Sequence, residues 1–227
     1  PEVQSRVRKL IRSTQPYCVI GSPPCTAFSP LQEISRAKRD PKVMEKELQD
    51  AKTHVRFCLE VYAMQLAGKR HFLHEHPERS KSWQMPEVVE FMLRPEVGTV
   101  TCHMCTFGMT SKDETGEDLV HKATRLMSSS EENLKRLDMR CTNEIGGEQH
   151  RHVHLEQGRA RQAQVYPRQF CVRVCEGVAA QKRKELLGVQ SRPIMTLEEM
   201  CSVAKPGEPQ ECPSAALHEE DGDNCCL

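Results

Sequence analysis

The sequence of 227 residues predicts an α/β fold in which helices cross over between the strands of a parallel sheet. Three short apolar runs, typical of buried strands, occur at 17–21, 71–76 and 99–103. Two segments whose apolar residues recur at helical spacing, 42–68 and 82–93, separate these runs. Strands that alternate with helices in this order are typical of parallel sheets.

Capping and helix-breaking residues mark the ends of these elements. A basic segment at 1–16, which contains several arginines, predicts a short amphipathic helix that ends before Pro16. Gly68 stands where a C-terminal cap belongs, at the end of the second helix. Pro77 ends the second strand and Pro95 follows the third helix, because proline cannot donate a backbone hydrogen bond.

The second half of the chain has weaker patterns, which we divide by composition and periodicity. The predicted elements, in chain order, are a polar loop at 110–120, a strand at 122–128, a helix at 131–137 capped by Ser130, a Gly- and His-rich insert at 141–158, and a helical segment at 161–187 that breaks at Pro167. The last part of the chain is rich in Pro, Glu and Ser, with acidic and Cys residues near its end. This composition predicts a disordered tail over 191–227.

Composition excludes several classes of protein. Lysine plus arginine and aspartate plus glutamate number 32 each, so net charge does not indicate nucleic-acid binding, although local patches still can. No apolar run reaches the roughly 18 residues of a membrane span, and no secretory leader opens the chain. The 12 cysteines therefore predict reduced thiols in an intracellular protein, nuclear or cytoplasmic, without a membrane partner. The first residue is Pro1 rather than Met, from which we expect a portion of a longer polypeptide.

A single thiol, Cys25, follows the first predicted strand within the stretch Val19-Ile-Gly-Ser-Pro-Pro-Cys-Thr-Ala-Phe-Ser29. Ligands of parallel sheets bind beyond the carboxyl ends of the strands. Pro23 and Pro24 stiffen the loop, and a rigid loop can present a thiol to a pocket. These features are typical of a nucleophilic cysteine, and the alternative is an inert packing cysteine in a proline-rich turn.

These residues resemble the Pro-Cys motif of the DNA cytosine carbon-5 methyltransferases, written G-x-P-C-Q-x-F-S or P-P-C-Q-x-F-S. Both prolines, the cysteine and the Phe-Ser pair match, whereas Thr26 stands where the family often has Gln. The resemblance implies that Cys25 attacks carbon 6 of a flipped-out cytosine, after which carbon 5 takes a methyl group from S-adenosylmethionine. It also implies further substrate-binding residues around the thiol: Ser22, Pro24, Phe28 and Ser29.

A second motif follows at the end of the next predicted strand. The same family has Glu-Asn-Val or Glu-Asn-Pro there, and this chain has Phe72-Leu-His-Glu-His-Pro77, with His76 in place of Asn. The resemblance places Glu75 on the family's glutamate. A carboxylic acid beside ring nitrogen 3 of cytosine can donate a proton as the thiolate adds, which makes the ring a better electron sink. We therefore expect Cys25 and Glu75 to form the catalytic pair.

A third resemblance, to segments of phage-like relatives, involves Cys102-His-Met-Cys-Thr-Phe-Gly108 and Val120-His-Lys-Ala-Thr-Arg125. It makes Lys122, Thr124 and Arg125 candidate contacts to phosphate or to the flipped base. A solvated, charged strand is the alternative interpretation of these residues.

Cysteines and histidines of the second half also fit a zinc site. A CxxC pair precedes a further cysteine and three alternating histidines, and alternate residues share one face of a strand. The candidate ligands are Cys102, Cys105, Cys141 and His152. The spacing matches no standard zinc finger, so the alternative interpretation is a His-rich surface loop or a strand that faces nucleic acid.

The methyltransferase resemblance covers about residues 17–128 and leaves the cofactor half unmatched. No glycine-rich turn precedes Ser22, so the site for S-adenosylmethionine is not visible in this chain. The resemblance therefore implies a partial Rossmann-like catalytic half-domain over 17–190, with DNA as its partner. Four features also resemble methyltransferase-like segments embedded in retroelement polyproteins of protists: Ser22-Pro-Pro-Cys-Thr26, Glu75-His-Pro77 with Ser82-Trp83 after it, the His-rich segment and Gln164-Val-Tyr-Pro167. The second interpretation is therefore a non-catalytic nucleic-acid-binding or zinc-stabilised module of a mobile-element polyprotein.

Overall fold

A four-stranded mixed sheet lies at the centre of the structure, a computed structural model that describes residues 2–30, 32, 38–145, 148–155 and 159–188. Its strands are β1 (Cys18–Gly21), β2 (His71–Pro77), β3 (Gly98–His103) and β6 (Ala123–Ser128), in the spatial order β1-β2-β6-β3. Two small hairpins accompany the sheet: β4 (Thr110–Asp113) with β5 (Gly116–Leu119), and β7 (Glu144–Ile145) with β8 (Glu148–Gln149). The helices are α1 (Glu2–Thr14), α2 (Pro41–Ala67), α3 (Pro86–Met92), α4 (Glu131–Leu137) and α5 (Arg168–Leu186).

The predicted α/β class is confirmed, but the prediction that the whole sheet is parallel is wrong. β1 and β2 pair in parallel, with Gly21 opposite His74, and α2 crosses over between them. β6 lies between β2 and β3 and runs antiparallel to both. β3 therefore does not pair with β2, because the chain returns after the β4–β5 hairpin and inserts β6 between them. The architecture is thus a mixed α/β sheet, which by itself does not establish a Rossmann-like arrangement.

Local sequence signals explain where two of the helices begin. Asp40 caps α2, because its carboxylate accepts a hydrogen bond from the Lys42 amide at 2.9 Å, and Pro41 occupies the first turn. Ser130 caps α4 as the sequence predicts: its hydroxyl oxygen accepts a hydrogen bond from the Asn133 amide at 3.2 Å. Each cap satisfies a backbone donor that the helix leaves without an internal partner.

The two faces of the central sheet bury separate hydrophobic clusters. Side chains alternate along a strand, so on β2 His74 and His76 lie on one face and Glu75 on the other. The first, which we call the aromatic face, is covered by α2 and α3 and buries Phe28, Val55, Leu59, Tyr62, Phe72, Trp83, Met85, Val88, Phe91 and Met127. The second, which we call the pocket face, is covered by α4 and α5 and buries Leu73, Cys102, Met104, Phe107, Met109, Val120, Leu126, Leu137, Val153, Ala163, Phe170 and Val174.

The segment 110–120, predicted as a polar loop, forms the β4–β5 hairpin instead. Arg151 holds this hairpin through Asp113 at 2.6 Å and Asp118 at 3.2 Å. Gly116 at the turn has φ 125°, a conformation that glycine adopts far more readily than other residues. The hairpin has few apolar side chains, so its sequence has no hydrophobic alternation from which strands can be predicted.

The two ends of the described chain agree with their predicted helices. The N-terminal basic helix packs on α2 through an ion pair between Arg8 and Glu60 at 2.5 Å. The last helical segment divides at Pro167, where a 3₁₀ helix (Arg159–Gln164) precedes α5. The predicted disordered tail, 191–227, lies outside the described residues. Among the residues that the structure describes, no helix is long and apolar enough to cross a membrane.

Candidate functional site

The predicted thiol and carboxylate lie at the neighbouring carboxyl ends of β1 and β2. Because these strands are parallel, their ends meet at one edge of the sheet, with Cys25 after β1 and Glu75 near the end of β2. A Cβ atom at Gly21 would stand 2.0 Å from the Tyr62 hydroxyl, so only glycine fits the last position of β1. The chain leaves the sheet here and enters the loop Ser22–Cys25.

A buried histidine fastens the loop that carries Cys25. His76 Nε2 donates a hydrogen bond to the Pro23 carbonyl at 2.8 Å, and its Nδ1 accepts one from the Ser82 hydroxyl at 2.6 Å. This pattern requires a neutral ring, and burial lowers the pKa of His76. At the far end of the loop, Phe28 is 2% exposed within the aromatic face. Phe28 therefore packs within the aromatic face.

A hydrogen-bond chain and a lysine converge on the Glu75 carboxylate, which is 7% exposed. Tyr166 donates its hydroxyl proton to Glu75 Oε2 at 2.7 Å and accepts a hydrogen bond from the Ser22 hydroxyl at 2.8 Å. Lys122 Nζ lies 3.8 Å from Glu75 Oε1 and donates to the Ala163 carbonyl at 3.1 Å. Glu75 Oε1 is buried and has no hydrogen-bond partner among the described residues.

Cys25, Glu75 and Lys122 act on one another electrostatically. Burial raises the pKa of the Cys25 thiol, the Glu75 charge raises it further, and the Lys122 charge opposes both. Burial and the Glu75 charge also raise the pKa of Tyr166, which therefore keeps its proton and remains a donor.

A small apolar cavity adjoins Glu75 and Tyr166 on the pocket face, and neither Cys25 nor Lys122 is among its lining residues. Its volume is about 160 Å³, and its polar lining residues are Ser22, Glu75 and Tyr166. The rest of the wall consists of apolar and thiol side chains: Ile20, Leu73, Phe170, Cys171, Val174 and Cys175. Pockets that enclose drug-sized ligands have volumes of about 300–1,000 Å³. The cavity therefore admits only a group of a few heavy atoms.

The candidate substrate contacts on β6 lie on opposite faces of the sheet. Thr124 is fully buried on the pocket face, and its hydroxyl has no partner among the described residues. Arg125 lies on the aromatic face, where its guanidinium carbon is 5.0 Å from the centroid of the Trp83 ring. Neighbouring residues of a strand point to opposite faces, so Thr124 and Arg125 do not share one substrate surface.

The remaining loop residues stay near the thiol, and one site residue was not predicted. Pro24 is exposed and Ser29 is half-buried, and the two lie on either side of the 3₁₀ turn Thr26–Phe28 next to Cys25. Sequence reasoning missed Tyr166, although its hydroxyl contacts Glu75 directly. Its one sequence signal was the Tyr-Pro step before α5, which has no intrinsic chemical meaning.

A second group of reactive side chains lies outside the Cys25–Glu75 pair. The ligand atoms of four residues all lie within 4.8 Å of one another: Cys105, Cys141, His150 and His152. The predicted ligand Cys102 is not among them, which corrects the set derived from sequence. β3 directs Cys102 into the buried cluster of the pocket face, where burial raises its pKa to about 12. His150 stands in its place.

Compared with models of known families, with curated proteins and with solved structures, the chain gives no match. What the site can do is therefore inferred from its own groups, which are a loop thiol, a buried acid, a lysine and a tyrosine.

Proposed function

We propose that the Cys25 thiolate adds to a cytosine of DNA and that Glu75 acts as the acid in this step. This addition is the covalent step of the methyltransferases that the motifs resemble. The observation that carries the proposal is the convergence of a loop thiol and a buried acid from two neighbouring strand ends. The influence of Glu75 and Lys122 on the pKa of the thiol supports it, since it requires these groups to be close in space. Positioned groups of this kind lower a barrier by removing the entropic cost of bringing them together.

The step is a balanced addition. The thiol proton of Cys25 passes to Glu75, and the sulfur bonds to carbon 6 of cytosine. The electron pair of the double bond between carbons 5 and 6 forms a double bond between carbons 4 and 5, and the pair of the double bond between carbon 4 and nitrogen 3 moves to the nitrogen. Glu75 then gives the proton to nitrogen 3. Tyr166 orients the carboxyl group, and the Lys122 charge favours the thiolate.

DNA is the partner under this proposal, in a nuclear or cytoplasmic setting where thiols stay reduced. The target base must leave the stack, because the faces of its ring are not accessible inside a duplex. Ser22 and Lys122 lie at the site itself, whereas Arg125 would reach a substrate only from the opposite face of the sheet.

The cavity beside Glu75 does not fit S-adenosylmethionine. The cavity beside Glu75 has a volume of about 160 Å³, below the roughly 300–1,000 Å³ of pockets that hold ligands of that size. No described strand of the central sheet leads into a glycine-rich turn, and β1 leads into the stiff loop with Pro23 and Pro24. We therefore derive no methyl-transfer step, and the proposal ends at the covalent adduct.

Trapping on single-stranded DNA that contains 5-azacytosine tests the proposal. This ring accepts a thiolate at carbon 6 and a proton at the neighbouring nitrogen without any methyl donor. The full chain is expected to form a complex that survives denaturation, and Cys25→Ser is expected to lose it. Glu75→Gln should slow adduct formation by about 10²–10⁴-fold, the usual contribution of general acid catalysis.

Cys58→Ser is the matched control for this experiment. The Cys58 thiol on α2 is also half-buried and has its pKa raised by burial, but Glu75 is not among the causes. This variant should form the adduct at the wild-type rate. The proposal fails if a folded full chain forms no adduct, or if the adduct persists in Cys25→Ser.

A second candidate function, the binding of nucleic acid without covalent chemistry, is favoured by one observation. Burial and the Glu75 charge both hold the Cys25 thiol in its protonated form. Basic side chains such as Lys122 would then contact phosphate groups. This function predicts unchanged oligonucleotide affinity in Cys25→Ser and no adduct, measured by fluorescence anisotropy over a series of salt concentrations.

A further inference from the structure

Two cysteines and two histidines form a group that the chemistry at Cys25 does not use. We propose that they bind one Zn²⁺ through side chains from three segments of the chain: Cys105, Cys141, His150 and His152. Four protein ligands of this kind complete a tetrahedral shell and leave no open position for a substrate. The ion is therefore structural, and its presence does not depend on the proposed reaction.

Two of the three distances given for the group fall within the range expected for ligands of one metal ion, and the two histidine nitrogens lie closer together than that range. Cys141 Sγ lies 3.3 Å from His150 Nε2 and 3.6 Å from His152 Nε2, and the two Nε2 atoms are 2.9 Å apart. With Zn–S of about 2.3 Å and Zn–N of about 2.0–2.1 Å, tetrahedral ligand atoms stand roughly 3.3–3.8 Å apart. A small rotation of one imidazole ring therefore seats the ion.

Hydrogen bonds within the group use the lone pairs of the four side chains less completely than a bound cation does. Cys141 has a single S–H proton, so its thiol can donate to only one of the two neighbouring rings. A zinc ion replaces such shared protons and takes one lone pair from each of the four ligands. Two thiolates also neutralise its charge.

Contacts outside the group hold the ligands in position. Cys105 follows β3 directly, in a 3₁₀ turn. The Cys141 amide donates to His103 Nδ1 at 2.9 Å, which fixes the backbone of this ligand. His152 forms a β-bridge with Leu119 of β5. Because each segment is anchored separately, binding of the ion costs little additional ordering.

The ion would stabilise the segment that contacts Lys122 and Glu75. Beyond His152 the chain reaches Ala163 and Tyr166, whose carbonyl and hydroxyl contact Lys122 and Glu75. Removal of zinc is expected to increase hydrogen exchange in this segment, because anchored segments open less often. Exchange on the aromatic face is expected to stay the same.

Metal content and cobalt spectroscopy on the full chain test the site. Protein purified without chelators from zinc-supplemented culture is expected to contain one zinc ion per chain. Replacement by Co²⁺ should give the d–d bands of a tetrahedral ion and a thiolate-to-cobalt charge-transfer band. Cys141→Ala and His152→Ala should each lower the zinc content to the background level.

Cys102→Ala is the matched control, because Cys102 belongs to the same CxxC spacing but lies in the buried cluster. It should retain zinc and the cobalt spectrum. If the alanine variants do not fold, His152→Cys separates folding from binding, since it should keep zinc and strengthen the charge-transfer band. A folded chain that takes up no metal, a disulfide between Cys105 and Cys141, or equal zinc loss in Cys102→Ala would overturn the assignment.

Discussion

Strand β2 presents equally buried polar groups to the two faces of the sheet, yet their hydrogen bonding differs. His74, Glu75 and His76 are 1%, 7% and 0% exposed. On the aromatic face, His74 bonds to Tyr62 and His76 to Pro23. On the pocket face, Glu75 keeps one oxygen without a hydrogen-bond partner among the described residues. Similar burial therefore accompanies different hydrogen bonding on the two faces of the strand.

The electrostatic surroundings of His74 and Glu75 also differ. Burial and, to a smaller extent, the neighbouring His76 lower the pKa of His74 to about 3, so this ring carries no charge near neutral pH. Glu75 instead has the Lys122 ammonium at 3.8 Å and the Tyr166 hydroxyl at 2.7 Å. We infer that the aromatic face supplies stability and that the pocket face supplies chemistry, a division that the following measurements can break.

Truncation of the aromatic core should have the largest effect. Phe72 is fully buried, and its ring stacks on Tyr62 with the centroids 4.5 Å apart. Phe72→Ala should lower the free energy of unfolding by about 3–5 kcal/mol, measured by chemical denaturation. Leu93→Ala is the control, because Leu93 is 80% exposed, and it should change this free energy by no more than about 0.5 kcal/mol. A similarly small loss in Phe72→Ala would contradict the division.

Acid should have the next largest effect, through the buried histidine. His74 binds a proton at its ordinary pKa of 6.5 in the unfolded chain and at about 3 in the folded protein. Its contribution to stability is therefore complete above pH 6.5 and is lost as the pH falls from 6.5 towards 3. Each pKa unit corresponds to about 1.4 kcal/mol, so the loss is on the order of a few kcal/mol.

A double variant distinguishes the contribution of His74 from that of surface carboxylates, which also titrate in acid. Tyr62→Phe combined with His74→Leu removes the buried ring and the hydroxyl that bonds to it. The pH dependence of its unfolding free energy should be flatter than that of the wild type over the same range. An equally steep curve would show that acid acts elsewhere.

The smallest expected effect is on the pKa of the Cys25 thiol. Glu75→Gln should lower the pKa of Cys25, because it removes a negative charge, and Lys122→Met should raise it. The rate of alkylation as a function of pH, followed on peptides by mass spectrometry, measures both changes. Cys58 is the internal control, since Glu75 does not contribute to its pKa. pKa shifts of the opposite sign at Cys25, or equal shifts at Cys58, would contradict the proposed interaction of Cys25 with Glu75 and Lys122.

Much of the fold could be predicted because the signals for its elements are local. The periodicity of 42–68 and the breaking residue Pro77 placed α2 and β2 within a residue or two of their observed limits. The cap at Ser130 was also predictable, because a side chain needs only a neighbouring amide to form it. The β4–β5 hairpin was not, since its polar strands have no hydrophobic alternation.

The candidate site was only partly predictable. The order of the motifs indicated that Cys25 and Glu75 follow successive strands, and β1 and β2 do end side by side. The sequence could also have predicted that Thr124 and Arg125 lie on opposite faces of the sheet, because the side chains of neighbouring strand residues point to opposite faces. Tyr166 was not predictable, since the contact with Glu75 joins positions distant in the chain.

The sequence by itself determined the approximate limits of α2 and β2 and the cap of α4, and that a stiff loop with Cys25 follows the first strand. Caps, turns and hydrophobic periods act over a few residues, so they can be recognised without knowledge of the fold. The tertiary structure decided that β6 lies between β2 and β3 and that His150, rather than Cys102, joins the four-ligand group. These features depend on which distant segments pack together, and that choice is made by the burial of whole faces rather than by any local pattern.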